Sequence, residues 1–402
     1  MRRQALWLFV SRGIGSVAQA LLLVIFARSV EPTVFGEANV VLGIAVFLGV
    51  IADLGLSSYI VRLIAVDQDA ERARSALRLN RLSTLTLVCA LVVVYLLVAG
   101  PLGLSPWLAL LVVWVGLEKN IEAQLAVFIA EQNVLVPASS VLIRRLIPIP
   151  IYLLVVIAEA PEFALGVALA IGAVLGSIHA GLFIRQALPI GARDEISVRY
   201  LIRGSAPFFV TNVSSQARNL DAAVVGLFAS TASGGTFAAA SKLTVPVFMV
   251  TSAIATSVMP AVARGGPDLA KKLIAVLAGS LIVLLGAVAF TVPFSENLIT
   301  WVFGPAYENS GVLLSMVLAG TLCASIVSPL NALVQTFGGA KYSAFASSVF
   351  SVLLLAALAV GAVVDGANGA ALGALCVQAS SAGVALVLAR WVTSQGDRWP
   401  AE

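Results

Sequence analysis

Long apolar runs separated by short charged breaks constrain this chain more than any other feature. Leu85 to Leu97, Leu273 to Val292 and Ser348 to Val364 contain no charged residue. A helix of a water-soluble domain keeps a polar face toward solvent, and these stretches have none. The mean hydropathy is +1.03, and 60% of the residues are hydrophobic against 11% charged. The expected fold is therefore an all-α integral membrane protein.

A helix needs about 20 apolar residues to cross the hydrocarbon core. Cutting the 402 residues where Gly, Pro and charge interrupt the runs predicts about twelve transmembrane helices: 5–28, 36–62, 77–99, 105–130, 138–158, 162–186, 200–228, 235–262, 270–293, 308–336, 341–364 and 368–392. The connections are short and leave no room for a soluble domain.

Positive charge near helix ends sets orientation, because Lys and Arg resist translocation. Arg2, Arg3, Arg62, Arg72, Arg74, Arg78, Arg81, Arg185, Arg193, Arg199 and Arg203 fall on one side, with Arg264, Lys271, Lys272, Lys341, Arg390 and Arg398. The opposite connections carry mainly Glu31, Glu159, Glu162, Glu296, Glu308 and Asp365. Both termini are expected in the cytoplasm. The net charge of +4 does not point to nucleic acid, since the cations flank membrane spans instead of forming one basic face. The first run reads as retained, not as a secretory leader: it is long and contains Arg12. Cys89, Cys323 and Cys376 all lie within apolar spans, so no disulfide or metal framework is expected.

Six predicted spans precede the basic connection Arg185 to Arg203 and six follow it. Thr33-Val34-Phe35-Gly36 opens the second span and Gly235-Thr236-Phe237-Ala238 the eighth, with Phe35 and Phe237 lying 202 positions apart. Ala164-Leu165-Gly166 and Ala371-Leu372-Gly373 open the sixth and twelfth at an offset of 207. Six spans return the chain to its starting side, so the repeats are parallel, related by an axis along the membrane normal. The expected organisation is two six-helix lobes, 1–190 and 191–402, around a central cavity.

The six-plus-six layout, Gly36-Glu37, Asp53-Leu54-Gly55-Leu56 followed by Arg62, Arg218-Asn219-Leu220-Asp221 and Phe303-Gly304-Pro305-Ala306-Tyr307 together resemble the polysaccharide transporters. That family is the O-antigen flippase type of the multidrug/oligosaccharidyl-lipid/polysaccharide exporter superfamily. The resemblance runs over essentially the whole chain and rests on the order of individually common motifs. It implies a multi-pass protein of the bacterial inner membrane that flips polyprenyl-diphosphate-linked oligosaccharide by alternating access. It also implies coupling to a proton or sodium ion and work beside polysaccharide assembly proteins.

Charge inside a bilayer costs at least about 2.5–3.5 kcal/mol per residue and so usually faces a cavity or a partner. Arg12, Lys119, Arg218 and Lys242 are the candidate substrate-binding cations, because Arg and Lys hold a diphosphate through charge-assisted hydrogen bonds. Asp221, Asp53, Glu118 and Glu122 are the candidate coupling-ion or charge-relay acids. Each has a plainer role beside the functional one. Glu118, Lys119 and Glu122 share a helical stripe that serves equally to glue helices together. Arg218 and Asp221 are spaced for a local salt bridge, and Asp53 for capping a kink near Gly55. Arg144 and Arg145 are expected to snorkel to the headgroups. Trp114, Tyr152, Asn212, Ser214, Ser215, Gln216, Asn331 and Gln335 are candidate sugar contacts, with helix packing as the alternative for each. His179, the single histidine, reads as hydrogen-bonded and structural.

No nucleophile elbow, phosphate loop or metal spacing occurs, so neither catalysis nor a cofactor is expected. Two transport alternatives stay open. A cation-coupled drug antiporter of the same superfamily usually has an acid in the first span, where this chain has Arg12. A lipid II flippase shares the early Ser11-Arg12 but usually has fourteen spans. A structural membrane protein is separated from all three by whether the charges converge.

Overall fold

The computed structural model describes residues 2–65, 67–188, 197–337 and 339–394; some side chains within them, including those of Arg218 and of 246–267, lie outside that description. Among the described residues the chain is helical, with no strand. The helices are α1 (Arg2–Ser29), α2 (Pro32–Asp53), α3 (Leu56–Ala65), α4 (Ala70–Leu102), α5 (Ala109–Ala130), α6 (Leu135–Leu146) and α7 (Pro148–Val155). They continue with α8 (Pro161–Ala187), α9 (Val198–Gln216), α10 (Asp221–Phe228), α11 (Thr231–Leu243), α12 (Val245–Phe303), α13 (Gly311–Thr336) and α14 (Ala340–Ser394).

Eight segments of the described residues are long and apolar enough to cross a bilayer. The difference from twelve has local causes. α5 has the length but carries Glu118, Lys119 and Glu122. α14 holds two expected spans, divided where Asp365 and Gly366 leave helical geometry. Gly361 and Gly369 then meet backbone to backbone, so the helix doubles back on itself. The seventh expected span is divided between α9 and α10, and the eighth between α11 and the first part of α12. α12 keeps helical backbone through the connection expected at 263–269.

The surface is apolar where a soluble protein would be polar. Ile282, Val283 and Phe290 are more than 70% exposed. Exposure on that scale is stable only in hydrocarbon.

The residues form two units, Met1–Val30 with Glu37–Leu220, and Glu31–Gly36 with Asp221–Glu402. In the first, Leu56, Ile60 and Leu63 of α3 pack on Ala73 and Ala76 of α4, Ala123 and Val127 of α5 and Leu201 of α9. In the second, Ala270 and Ile274 of α12 pack on Leu330 and Leu333 of α13 and Ala389 and Val392 of α14. The start of α2 belongs to this second unit. Phe35 is fully buried between Phe303 and Tyr307, with ring centroids 6.2 Å from each. Burial pushes the Tyr307 phenol well above its ordinary pKa, so this ring stays neutral.

Candidate functional site

Six charged residues of the first unit, Asp53, Glu118, Lys119, Glu122, Arg144 and Arg145, gather on α2, α5 and α6. α2 ends at Asp53 because Leu54 and Gly55 both take left-handed backbone, with φ of 52° and 73°. A side chain at Gly55 would meet the backbone of Ser205 and Phe209 on α9. Asp53 is 5% exposed and caps α3, accepting bonds from the Ser57 backbone N–H at 3.3 Å and from the Ser57 hydroxyl. Asn80 of α4, fully buried, donates its Nδ2 to the same carboxylate oxygen at 2.7 Å. One residue before Asp53, the Ala52 carbonyl accepts from Ser83 Oγ at 2.7 Å. The kink between α2 and α3 is thus pinned to α4 by two polar side chains.

The three charges of α5 divide between two partners. Lys119 Nζ bonds Glu122 Oε2 at 2.7 Å, and its stem lies against Gly49 of α2. Lys119 and Glu122 also lie within electrostatic range of Asp53. Glu118 turns toward α6, where it is ion-paired with Arg144 and, at 3.3 Å, with Arg145. The Arg145 guanidinium stands 5.6 Å from the Trp114 ring centre, within cation–π reach. The snorkelling expected of Arg144 does not occur: the residue is 4% exposed. The acid on α5 and the room left by Gly176 of α8, which lies against the Arg144 stem, make an inward pairing available. The cluster balances three acids, Asp53, Glu118 and Glu122, against three bases, Lys119, Arg144 and Arg145.

The remaining candidates lie apart from it. Arg12 is exposed on α1 and has no ion pair among the described residues. In the second unit Asp221 opens α10, accepting from the Ala222 N–H at 2.8 Å, and interacts electrostatically with Lys242 of α11. The Arg218 side chain, and hence its expected bridge to Asp221, lies outside the described residues, as do the side chains of Ser214 and Ser215. Tyr152 is buried edge-on to Phe26. Asn212 donates to Ser58 at 3.4 Å, Asn331 to Ser347 at 3.1 Å and Gln335 to Ser343 at 3.4 Å, and Gln216 bonds Asn219. His179 is 3.1 Å from the Ser139 hydroxyl, linking α8 to α6. Among the described residues no group of acids, His and Cys has the makings of a metal site.

A family model described as polysaccharide biosynthesis protein matches residues 1–265, about two thirds of the chain. The chain belongs to that family. No curated protein matches it in sequence. Solved structures extend the likeness over nearly the whole length. An inward-facing multidrug resistance MATE transporter of the MOP superfamily superposes with TM-score 0.76 at 13% identity, covering 96% of each chain. The lipid II flippase MurJ, in an inward closed conformation, does so with TM-score 0.69 at 13% identity, covering 96% of this chain and 86% of that one. A MOP superfamily transporter from Pyrococcus furiosus, described by the reverse polarity of its binding pocket, gives 0.59 at 16% with 96% of each covered. At these identities the likeness fixes the fold. This member of the polysaccharide biosynthesis family is a multi-pass membrane protein with the fold of those solved transporters.

Sequence reasoning missed Asn80, which sits between Arg78 and Arg81 at the charged end of the expected span 77–99. The signal was the need of Asp53, at the end of an apolar run, for a donor. It missed the role of Arg144 because its partner lies 26 positions away. An excess of acid on α5 was the available cue. Asp53→Leu is expected to strand the Asn80 amide and lower stability by about 1–3 kcal/mol, read as a lower melting temperature of the purified protein. An unchanged melting temperature would mean that the α2–α3 kink holds without this contact.

Proposed function

We propose that this protein translocates polyprenyl-diphosphate-linked oligosaccharide units across the bacterial cytoplasmic membrane for surface polysaccharide assembly. Membership of the polysaccharide biosynthesis family is the observation that carries this reading, and likeness in fold to a lipid II flippase supports it. The halves 1–190 and 191–402 act as two lobes in alternating access, with both termini cytoplasmic. The protein works as a carrier, without making or breaking a covalent bond.

Arg12, Lys119, Arg218 and Lys242 are proposed to attract the diphosphate. Asp53, Glu122 and Asp221 are proposed to take the coupling proton or sodium ion, beside polysaccharide assembly proteins that receive the unit. Glu118, the fourth candidate acid, is better suited to joining α5 to α6, because both its neighbouring cations already occupy it. Among the cations whose side chains are described, Arg12 is the freest to meet a phosphate, being exposed and without an ion-pair partner among the described residues.

Deleting the gene in its own host is expected to stop export of a surface polysaccharide and leave lipid-linked units on the cytoplasmic face. Arg12→Ala supplied on a plasmid restores membrane abundance but lowers export about tenfold, the loss expected for one charge-assisted phosphate contact. Normal surface polymer together with new sensitivity to cationic drugs would favour the antiporter reading instead, to which the multidrug transporter fold also lends itself. For topology, cysteine labelling should place 66–72 and 190–198 in the cytoplasm and 296–306 outside. A cytoplasmic 296–306 connection overturns the orientation.

A further inference from the structure

The first unit contains a groove outside the acid–base cluster. It is a cleft of about 540 Å³ between α4, α5 and α8, a size that suits part of a lipid. Its walls include Leu85 and Leu182, which are 58% and 60% exposed and so face hydrocarbon. Arg81 and Arg185 also line it, from the first half of α4 and the last turn of α8. Both are exposed, and neither has a carboxylate partner among the described residues. Both belong to the positively charged connections that the charge asymmetry assigns to the cytoplasm.

The groove also contains unused hydrogen-bonding capacity. Gln124 spends its Nε2 on Asn120 at 2.6 Å, and its Oε1 accepts nothing. Thr84 is 3% exposed, and its Oγ1 has no partner, nor does Ser177 Oγ. Buried polar atoms left unsatisfied in this way cost free energy until something bonds to them. Apolar walls, a pair of unpartnered arginines at one end and orphan acceptors beneath call for a particular ligand: an anionic head carrying hydroxyl donors, attached to a long apolar chain.

We propose that this groove binds an anionic glycerophospholipid of the cytoplasmic leaflet. Arg81 and Arg185 hold the phosphate, glycerol hydroxyls donate to Gln124 Oε1 and its neighbours, and an acyl chain lies along Leu85 and Leu182. Basic pockets between transmembrane helices on the cytoplasmic side are suited to such heads. The bound lipid fills the space between α4, α5 and α8 and so braces α5, which carries Lys119 and Glu122.

The test is native mass spectrometry of the full-length protein in detergent, titrated separately with phosphatidylglycerol, phosphatidylcholine and a polyprenyl phosphate. Phosphatidylglycerol is expected to bind about tenfold more tightly than phosphatidylcholine, and the double variant R81Q/R185Q to lose that preference. Gly181→Phe keeps both charges but fills the groove, since nothing lies within 4 Å of a side chain built there. It should reduce phosphatidylglycerol adducts at least about fivefold with the melting temperature unchanged. Equal binding of the two phospholipids, or wild-type adduct levels in R81Q/R185Q, overturns the proposal. Displacement of phosphatidylglycerol by an equal concentration of polyprenyl phosphate also overturns it, by giving the groove to the cargo lipid. Should Gly181→Phe prevent folding, R81Q/R185Q decides alone, because both arginines are exposed and unpaired among the described residues.

Discussion

Glu118→Ala is expected to remove most of the folded protein from the membrane fraction. Glu118 is 4% exposed and counters two cations, Arg144 and Arg145, on the facing helix α6. Without it two guanidiniums stay close together, one of them buried, with no acid in contact. Breaking a buried pair by removing one partner typically costs about 3–5 kcal/mol, a large share of the stability of a folded chain. Replacing both members by apolar residues of similar volume, as in E118L/R144M, removes two buried charges at once and should recover much of the loss. Fluorescence-detected gel filtration reads both outcomes. A monodisperse E118A protein at wild-type level would show that the pair contributes little to folding, and would return Glu118 to the candidates for charge relay.

Gly36→Val is expected to act as strongly, through sterics. Gly36 at the start of α2 faces the Thr231 carbonyl of α11, while Gly235 of α11 faces the Pro32 carbonyl, so the two helices cross with backbone against backbone. A side chain at either position meets main chain, which cannot rotate away as a flexible side chain can. Overpacking commonly costs about 1–3 kcal/mol and more where backbone must move. Small residues at such crossings also provide the dispersion contacts that hold helices together when lipid removes the hydrophobic drive. Gly36→Val and Gly235→Val should each lower the melting temperature sharply. Gly13→Ala, where nothing lies within 4 Å, should leave it unchanged or slightly raised. Similar behaviour of all three would separate the crossing from stability.

The membrane setting and the all-helical fold follow from composition and run length alone, since hydrocarbon demands internally satisfied backbone over about 20 residues. Such a constraint is one-dimensional, and the sequence carries it openly. The order of weak motifs likewise points to the polysaccharide biosynthesis family to which the chain belongs. What the sequence by itself left open was which charges face each other. Asp53 meets Asn80 across 27 positions, and Glu118 meets Arg144 across 26. Periodicity along one helix says nothing about the neighbour opposite it. The tertiary structure decided that the α5 stripe splits between α2 and α6, that Arg144 turns inward, and that the start of α2 packs with the second unit. The physical reason is that a buried charge takes its partner from whichever helix packing brings within about 4 Å, and packing depends on small residues such as Gly36, Gly176 and Gly235 whose contacts appear only once the chain is folded.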